Sequence, residues 1–210
     1  MVVLSQDEHQ RIAEAIRAVE ARTSGEIHCA VCRRSDPYFL AAAFFLSSAA
    51  LVLGLVFSWV LHWLWIDIAP MELAAIQLAA WALGLLLLWR FPAMRIPMVP
   101  RRICYRRAHA NALQQFFGRN IHVTEARTGI LIFVSLAERY AEIVADSGIS
   151  AKVAQKEWND IVGALTTGAS RHQLADALVE AVNRSGELLA AHFPPGSDDK
   201  NELPDHVVEI

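Results

Sequence analysis

The sequence predicts a mixed α/β fold that is interrupted by a transmembrane hairpin of two helices. Between residues 38 and 89 the chain has 52 residues and only two formal charges, Asp67 and Glu72, whereas the other 158 residues carry 39 of the 41 charges. On both sides of this apolar stretch, helical and strand-like patterns alternate, which is typical of an α/β domain. This division excludes an ordinary soluble globule, a disordered chain and a disulfide scaffold.

Residues 1–36 are predicted to form the first helix and the first strand of the α/β domain. Ser5 and Glu8 match a capping box, which marks the start of a helix. Apolar residues follow at helical spacing, namely Ile12, Ile16 and Val19. Residues 26–32 alternate as a strand does. One helix and one strand are too small to bury their apolar faces alone, so they need partners from beyond the apolar stretch.

Residues 37–89 are predicted to cross a membrane twice. Residues 38–66 are 29 consecutive positions without Asp, Glu, Lys or Arg, which is longer than the ~20 residues that span a bilayer as a helix. The second run, residues 73–89, has 17 positions and lies at the short end of the spanning range. Tryptophans lie near the ends of both runs, where their rings favour the headgroup layer: Trp63, Trp65 and Trp89. Small residues four positions apart permit close helix approach, within the hairpin or between two copies: Ala50 and Gly54, and Ala80 and Gly84.

The arginines predict the orientation of this hairpin. The connection between the two runs, residues 67–72, contains no Lys or Arg, whereas eight arginines flank the opposite ends: Arg33, Arg34, Arg90, Arg95, Arg101, Arg102, Arg106 and Arg107. Because loops rich in Lys and Arg stay in the cytoplasm, we expect both polar parts on the cytoplasmic face of a bacterial inner membrane. Residues 1–20 lack a basic segment followed by an apolar one, so no cleavable signal is expected.

Residues 90–107 are predicted to form a basic juxtamembrane segment, with a net charge of +6. Its six arginines are expected to contact anionic lipid headgroups, at ~1 kcal/mol each: Arg90, Arg95, Arg101, Arg102, Arg106 and Arg107. Prolines should keep this segment from forming one regular helix: Pro92, Pro97 and Pro100. A nucleic-acid surface is the alternative, but the place beside the bilayer and the net charge of −6 over residues 108–210 argue against it. The predicted partners are the lipid bilayer and either another protein or a second copy of this chain, with no nucleic acid.

Residues 108–195 are predicted to complete the α/β domain. Residues 102–117 read as a helix that Gly118 ends. The unbroken apolar run at residues 130–134 is typical of a central strand that is covered on both faces. Residues 140–145 are predicted to form a further strand, antiparallel to its neighbour.

Two further helices and a tail are predicted towards the C-terminus. The first helix is marked by Trp158, Ile161, Val162 and Leu165. Residues 170–173, Ser-Arg-His-Gln, match a second capping box, which would open a helix with these side chains facing inward: Leu174, Leu178, Val182 and Leu189. Residues 196–210 form an acidic tail, whose last apolar residues can dock on the domain: Val207, Val208 and Ile210.

Two segments of the chain carry the motifs of a known domain family. Residues 18–27 contain Glu20, Thr23, Gly25, Glu26 and Ile27 where a helix passes into a strand. Residues 128–148 contain Gly129 with its apolar run, Glu138-Arg139, Ile143 and Asp146-Ser147-Gly148. These motifs resemble the helix-to-strand entry and the central core of the TPM domain family, the type found in thylakoid-lumen photosystem-repair proteins and a receptor modulator. The resemblance covers residues 4–34 and 102–193. It implies an α/β/α sandwich, often tethered to a membrane, with some relatives described as acid phosphatases and others as metal-binding. Here the hairpin interrupts the domain after its first strand, whereas many members carry a signal peptide and an extracytoplasmic domain.

Four charged residues are candidates for a catalytic or metal site. Asp146 follows a predicted strand, where clefts of α/β domains commonly form, and its carboxylate is a possible ligand for a divalent cation. With Glu26 or Glu125 such a cation would hold a phosphate, which Arg139 would contact from the neighbouring turn. Glu138 is a further carboxylate in this stretch. The simpler interpretation makes Asp146 a helix N-cap or turn residue, Glu26 the partner of an arginine, and Arg139 an exposed turn residue.

Cys29 and Cys32 match the C-x-x-C spacing of redox and zinc motifs. On a strand, residues three apart point to opposite faces, so the sulfurs should not meet, and packing thiols are the favoured interpretation over a metal or redox role. Cys104 stands alone, and on the cytoplasmic side all three are expected to be reduced. The histidines are scattered and are expected to be ordinary surface residues: His109, His122, His172 and His192.

The sequence therefore predicts an integral membrane protein that displays a TPM-like domain to the cytoplasm, as a protein-interaction or membrane-maintenance module. The alternative is a membrane-anchored phosphatase that depends on a divalent cation. This cation is the one cofactor that the sequence suggests. No Asp-x-Asp, Cys-x5-Arg, His-Glu-x-x-His, Gly-x-Ser-x-Gly or P-loop pattern occurs in the chain, so no specific reaction is assigned. Clustered carboxylates around a cleft would favour the phosphatase, whereas scattered acids and a smooth or apolar groove would favour the interaction module.

Overall fold

The computed structural model describes residues 3–124, 127–195 and 206–210. These residues divide into two units: residues 1–35 and 105–210 belong to the first, and residues 36–104 to the second. The elements in chain order are α1 (Gln6–Glu20), β1 (Glu26–Cys32), α2 (Phe39–Trp63), α3 (Pro70–Arg90), α4 (Arg95–Met98), α5 (Arg101–Gly118), β2 (Gly129–Ser135), β3 (Tyr140–Ala145), α6 (Ser147–Ser150), α7 (Gln155–Ser170), α8 (Leu174–His192) and β4 (Val207–Glu209). Short 3₁₀ turns at Pro92–Met94 and Ile121–Val123 complete them.

The first unit is built on a mixed four-stranded sheet in the order β3-β2-β1-β4. Strand β1 pairs in parallel with both β2 and β4, whereas β3 pairs antiparallel with β2, as predicted. The chain leaves this unit after β1 and returns in α5 before it forms β2. The mixed α/β fold is therefore confirmed.

Helices cover both faces of the two central strands. On one face, alternate residues of β1 and β2 join a buried cluster with α1, α7 and α8: Ile27, Cys29, Val31, Ile130, Ile132 and Val134. On the other face, the intervening residues pack against α5: Ala30, Cys32, Leu131 and Phe133 meet Ala108, Ala112 and Phe116. All seven residues of β2 are buried, which confirms the predicted central strand.

The N-terminus and the C-terminal strand hold each other in place. The capping box is present, since Ser5 accepts a hydrogen bond from the Glu8 N–H at 3.3 Å and Glu8 accepts one from the Ser5 N–H at 2.7 Å. In β4, the carboxylate of Glu209 accepts hydrogen bonds from the N–H groups of Val3 and Leu4. Partial burial acts to raise the pKa of Glu209, but these hydrogen bonds outweigh it and lower the pKa below its ordinary value. The predicted docking of the C-terminal apolar residues is confirmed by the pairing of Val207 with β1.

The second predicted capping box is wrong. Ser170 is the last residue of α7, and its hydroxyl donates to the Thr167 carbonyl at 2.7 Å instead of capping a following helix. Helix α8 begins at Leu174, and its N-cap Gln173 makes no side-chain capping bond. The cause is a tight turn between α7 and α8, in which His172 adopts a φ of 61°. The polar cluster at residues 170–173 thus marks a turn between two helices, and not a helix start alone.

The second unit consists mainly of two long apolar helices. Helix α2 has 25 residues and α3 has 21, and both are long and apolar enough to cross a membrane. Only 6% of the most apolar window of each helix is buried, so their apolar side chains face outward. The two helices approach closely at Gly54, where an added Cβ would lie 2.4 Å from Nε2 of Gln77, and at Gly84, which faces Leu46. The prolines break the following segment into short pieces, as predicted.

Arg95 does not fit the predicted contact with lipid headgroups. Its side chain is buried within the second unit and donates to the carbonyls of Leu88 (2.9 Å), Trp89 (3.1 Å) and Pro37 (3.2 Å). Two of these carbonyls belong to the last turn of α3, where a cation is favourable. Arg95 therefore closes the end of α3. The other five arginines of residues 90–107 are exposed.

Candidate functional site

Asp146 is the N-cap of the short helix α6. Its carboxylate accepts hydrogen bonds from the Ser147 N–H at 2.5 Å and from the Ser147 hydroxyl at 3.1 Å. The side chain is buried, and its second oxygen, Oδ2, has no hydrogen-bond partner among the residues that the structure describes. This is the N-cap interpretation that the sequence left open.

The sheet topology also places Asp146 at the wrong end for the predicted cleft. Because β3 runs antiparallel to β2, the carboxyl end of β3 lies beside the amino ends of β1 and β2. The Asp146 N–H accordingly donates to the carbonyl of Gly129, the first residue of β2. Ligand clefts of α/β sheets form at the carboxyl ends of the parallel strands, which is the opposite edge here.

The remaining acidic candidates do not assemble a metal site. Glu26 is buried at the start of β1, in register with Gly129, and so lies at the same end of the sheet as Asp146. Glu125 lies outside the described residues. Within residues 3–124, 127–195 and 206–210, no group of three or more His, Cys, Asp or Glu side chains is arranged to hold a metal ion. The described residues thus show no built site for a divalent cation.

A buried polar network occupies the carboxyl ends of β1 and β2. The Ser135 hydroxyl donates a short hydrogen bond to Glu138, whose other oxygen accepts from the Ser35 N–H at 2.8 Å. The Ser35 hydroxyl donates to Ser135 at 3.0 Å, and the Cys32 thiol donates to the same oxygen at 3.1 Å. Ser135 is fully buried and Glu138 is 6% exposed. The network ties the end of β1 to the turn between β2 and β3.

The thiol of Cys32 in this network is not an activated nucleophile. Burial raises the pKa of the Cys32 thiol, and its hydrogen bonds with Ser135 and Ser35 only partly offset that effect. A reactive cysteine needs the thiolate, which a raised pKa disfavours. Cys29 points to the opposite face of the sheet from Cys32, as predicted. The two sulfurs therefore act as packing groups and not as a redox or metal pair.

Arg139 lies in the turn between β2 and β3, at the opposite end of the sheet from Asp146 and Glu26. It is exposed, with a φ of 52°, and lines a cavity of about 420 Å³ together with His172. The hydroxyls in this cavity are already engaged: Thr166 donates to the Val162 carbonyl and Ser170 to that of Thr167. The structure therefore does not bring Arg139 to Asp146 or Glu26, the two described carboxylates that were predicted to share a phosphate with it.

A groove of about 470 Å³ runs along the open edge of β3. All six residues of β3 line it, together with side chains from α5 and α7: His109, Leu113, Trp158, Asn159 and Val162. The Asp146 N–H donates to the Gly129 carbonyl, and in an antiparallel ladder every second residue bonds to the same neighbouring strand. Val144 and Glu142 therefore direct their backbone groups towards β2. Ala141 and Ile143 therefore direct their N–H and C=O groups away from β2, into the groove.

One wall of this groove carries a small polar cluster that sequence reasoning missed. Nδ1 of His109 lies 2.9 Å from Oε1 of Glu142, and the Tyr140 hydroxyl donates to Oε2 of Glu142 at 2.8 Å. Burial, reinforced by Glu142, raises the pKa of Tyr140. The spacing of Tyr140 and Glu142, two apart on one strand, was the available signal. Their partner His109, on α5, precedes Tyr140 by 31 residues in the chain, so no local pattern could identify it.

Comparison with known proteins yields a single kind of information, the fold. No protein-family model matches the chain, and no curated protein matches it. The NMR structure of the BA42 protein from the psychrophilic bacterium Bizionia argentinensis is similar, with a TM-score of 0.60 and 19% sequence identity over 99% of this chain and 95% of that one. At that identity the likeness concerns the fold alone. The resemblance to TPM domains remains a prediction.

Proposed function

We propose that this chain is an integral membrane protein that holds its α/β unit at a bilayer as a protein-interaction module. The observation that carries this proposal is the outward-facing apolar surface of α2 and α3. Leu40 is 82% exposed, Leu55 73% and Met71 80%. Such continuous apolar surface is unfavourable in water and favourable in hydrocarbon, and each helix has the length to cross it.

The proposed location is a bacterial inner membrane, with both polar parts of the chain in the cytoplasm. The asymmetry of the arginines supports this orientation, because the connection between α2 and α3 has none. Five exposed arginines at the other end are the proposed contacts for anionic lipid headgroups: Arg90, Arg101, Arg102, Arg106 and Arg107. Nothing in this arrangement calls for a nucleic-acid partner.

We further propose that the first unit is a TPM-like α/β/α sandwich. The two buried clusters, one on each face of the sheet, support the three layers. The segments that resemble TPM domains correspond to the α1-to-β1 connection and to the β2–β3 hairpin, which include the two central strands β1 and β2 and the edge strand β3.

The groove along β3 is the surface that supports an interaction role. Its open strand edge offers the backbone N–H and C=O groups of Ala141 and Ile143, which an extended peptide can pair with by strand addition. A divalent-metal-dependent phosphatase has no comparable support, because no group of three or more described His, Cys, Asp or Glu side chains is arranged to hold a metal ion. Asp146 is engaged in capping α6, and Glu138 in the network with Ser35 and Ser135. We therefore propose no reaction.

Membrane insertion and orientation are tested together in bacterial cells that express the full chain. We expect the protein to stay in the membrane fraction after an alkaline carbonate wash. A cysteine at Asp67→Cys, in the connection between α2 and α3, should react with a membrane-impermeant maleimide added to spheroplasts. A cysteine at Ser170→Cys, exposed at the end of α7, should react only after the membrane is permeabilised. Extraction by carbonate would overturn the insertion, and labelling of Ser170→Cys in sealed spheroplasts would overturn the orientation.

A further inference from the structure

A mainly apolar groove with a few polar side chains lies between the two apolar helices of the second unit. It has a volume of about 390 Å³ and is lined on α2 by Ser47, Ala50 and Leu51, and on α3 by Ala74, Gln77, Leu78 and Trp81. The lining combines small side chains with a few hydrogen-bonding groups. Small residues let a further helix approach closely, and polar ones stabilise helix contacts in a bilayer.

The polar side chains of this groove are only partly satisfied within the hairpin. The Trp81 ring N–H donates to the Ser47 hydroxyl at 2.9 Å, and Nε2 of Gln77 donates to the Ala50 carbonyl at 3.3 Å. One further N–H of the Gln77 amide and its Oε1 have no hydrogen-bond partner among the described residues. Gln77 is half-buried beside Gly54 and faces the groove.

The depth of Gln77 makes this incomplete pairing costly. Gln77 lies seven residues after the start of α3, which corresponds to ~10 Å along the helix axis. If the hairpin crosses a membrane, as the proposed function states, this depth is within or at the border of the hydrocarbon, where water is scarce and an unpaired amide group is unfavourable. The inference that follows rests on that proposal.

We propose that the groove between α2 and α3 binds the hairpin of a second copy of this chain, with the two Gln77 amides hydrogen-bonded to each other. A carboxamide is both a donor and an acceptor, so two copies related by a two-fold axis are complementary at this position. Ala50 and Ala74 allow the close approach that this pairing needs. A lipid acyl chain fills the volume but offers no hydrogen-bonding group, so it leaves the Gln77 amide unsatisfied.

The position of the contact is tested by disulfide crosslinking of the full chain in vesicles of phosphatidylethanolamine and phosphatidylglycerol. Ala74→Cys places a thiol in the groove, whereas the matched variant Ala75→Cys places it one residue further, on the side of α3 that points away from Gln77. We expect mild oxidation to produce several-fold more covalent dimer from Ala74→Cys than from Ala75→Cys. Equal dimer yields from the two variants would overturn the proposed contact.

The role of Gln77 is tested by adding Gln77→Leu to the Ala74→Cys variant. Loss of an interhelical hydrogen bond worth ~0.6 kcal/mol or more should lower the dimer population by a factor of about three or more. Unchanged helicity by circular dichroism would show that the hairpin still forms. An unchanged dimer yield would overturn the amide pairing, because the contact would then form without Gln77.

The carbonate wash separates failure of this inference from failure of the proposed function. Protein that resists the wash but gives no dimer from Ala74→Cys contradicts the self-association and leaves the membrane proposal standing. Protein that the wash extracts contradicts both.

Discussion

At the scale of single residues, burial makes the thiol of Cys29 resistant to ionisation. Burial, with a smaller contribution from Glu20, raises the pKa of Cys29 to about 12 in the fold. In the unfolded chain the ordinary value of 9.0 applies. Between these values the folded state holds a proton that the unfolded state has lost, so this contribution to stability is complete below pH 9 and is lost as pH rises towards 12.

This difference predicts the effect of Cys29→Ala at alkaline pH. Above pH 9 the free energy of unfolding of the parent chain should fall more steeply than that of the variant, by up to ~1.4 kcal/mol per pH unit. Denaturant unfolding of the full chain in detergent, at a series of pH values, measures the two slopes. Parallel slopes between pH 9 and 11 would show that the thiol ionises normally in the fold.

Glu138 is the acceptor on which the network at the carboxyl ends of β1 and β2 depends. Glu138→Ala leaves the Ser35 N–H and the Ser135 hydroxyl without this acceptor, and we expect the free energy of unfolding to fall by ~2–4 kcal/mol. Glu157→Ala, at an exposed position in α7, is the control and should change it by ~0.5 kcal/mol or less. Similar stabilities of the two variants in chemical unfolding would contradict the structural role of the network.

At the scale of elements, two glycines on neighbouring helices should respond to alanine in opposite directions. In α8, a Cβ on Gly186 would lie 2.2 Å from Cγ1 of Val19 in α1, so Gly186→Ala should destabilise the fold by ~1–3 kcal/mol. In α7, Gly163 has no atom within 4 Å of such a Cβ, so Gly163→Ala should stabilise the fold by ~0.5–1 kcal/mol through helix propensity. Thermal unfolding of both variants measures the two signs. A stabilising Gly186→Ala would contradict the packing of α1 on α8, and a destabilising Gly163→Ala would contradict the open space beside α7.

The pairing of β3 with β2 predicts an alternating pattern of amide exchange. Glu142 and Val144 donate towards β2 and should be protected, whereas Ala141 and Ile143 face the open edge and should exchange much faster. Residue-resolved hydrogen exchange on the full chain tests this pattern. Slow exchange at all four amides would mean that the edge is already covered, and the groove would then lose its proposed role.

At the scale of the whole molecule, the apolar hairpin is an insertion within the α/β unit. The unit formed by residues 1–35 and 105–210 has its own sheet and buried clusters on both faces. We expect a chain in which ~12 Gly and Ser residues, spanning ~19 Å on average, replace residues 36–104 to be soluble and to keep its helices and strands. Sedimentation and circular dichroism test this, beside the full chain, which should stay with the membrane. Aggregation of the shortened chain with loss of its secondary structure would show that the insertion is needed for folding.

Sequence reasoning succeeded where a pattern is local and failed where the fold brings distant residues together. The capping box at Ser5 and the covered strand β2 depend on neighbouring residues, and both are present. The cluster of His109 with Glu142 joins α5 to β3, and the network of Ser35 with Glu138 joins residues about one hundred positions apart. The capping box predicted at Ser170 was wrong because Ser and Gln at the required spacing occur both in capping boxes and in turns between helices.

The sequence by itself determined the mixed α/β class, the central strand and two helices of membrane-spanning length, because hydrophobicity and its period depend only on adjacent residues. The tertiary structure alone decided the strand order β3-β2-β1-β4. In that order β1 pairs with β2, which follows the long insertion in the chain, and β3 runs antiparallel to β2. Asp146 and Arg139, at the two ends of β3, therefore lie at opposite ends of the sheet. Strand pairing across such a distance is a long-range interaction, for which no local pattern exists.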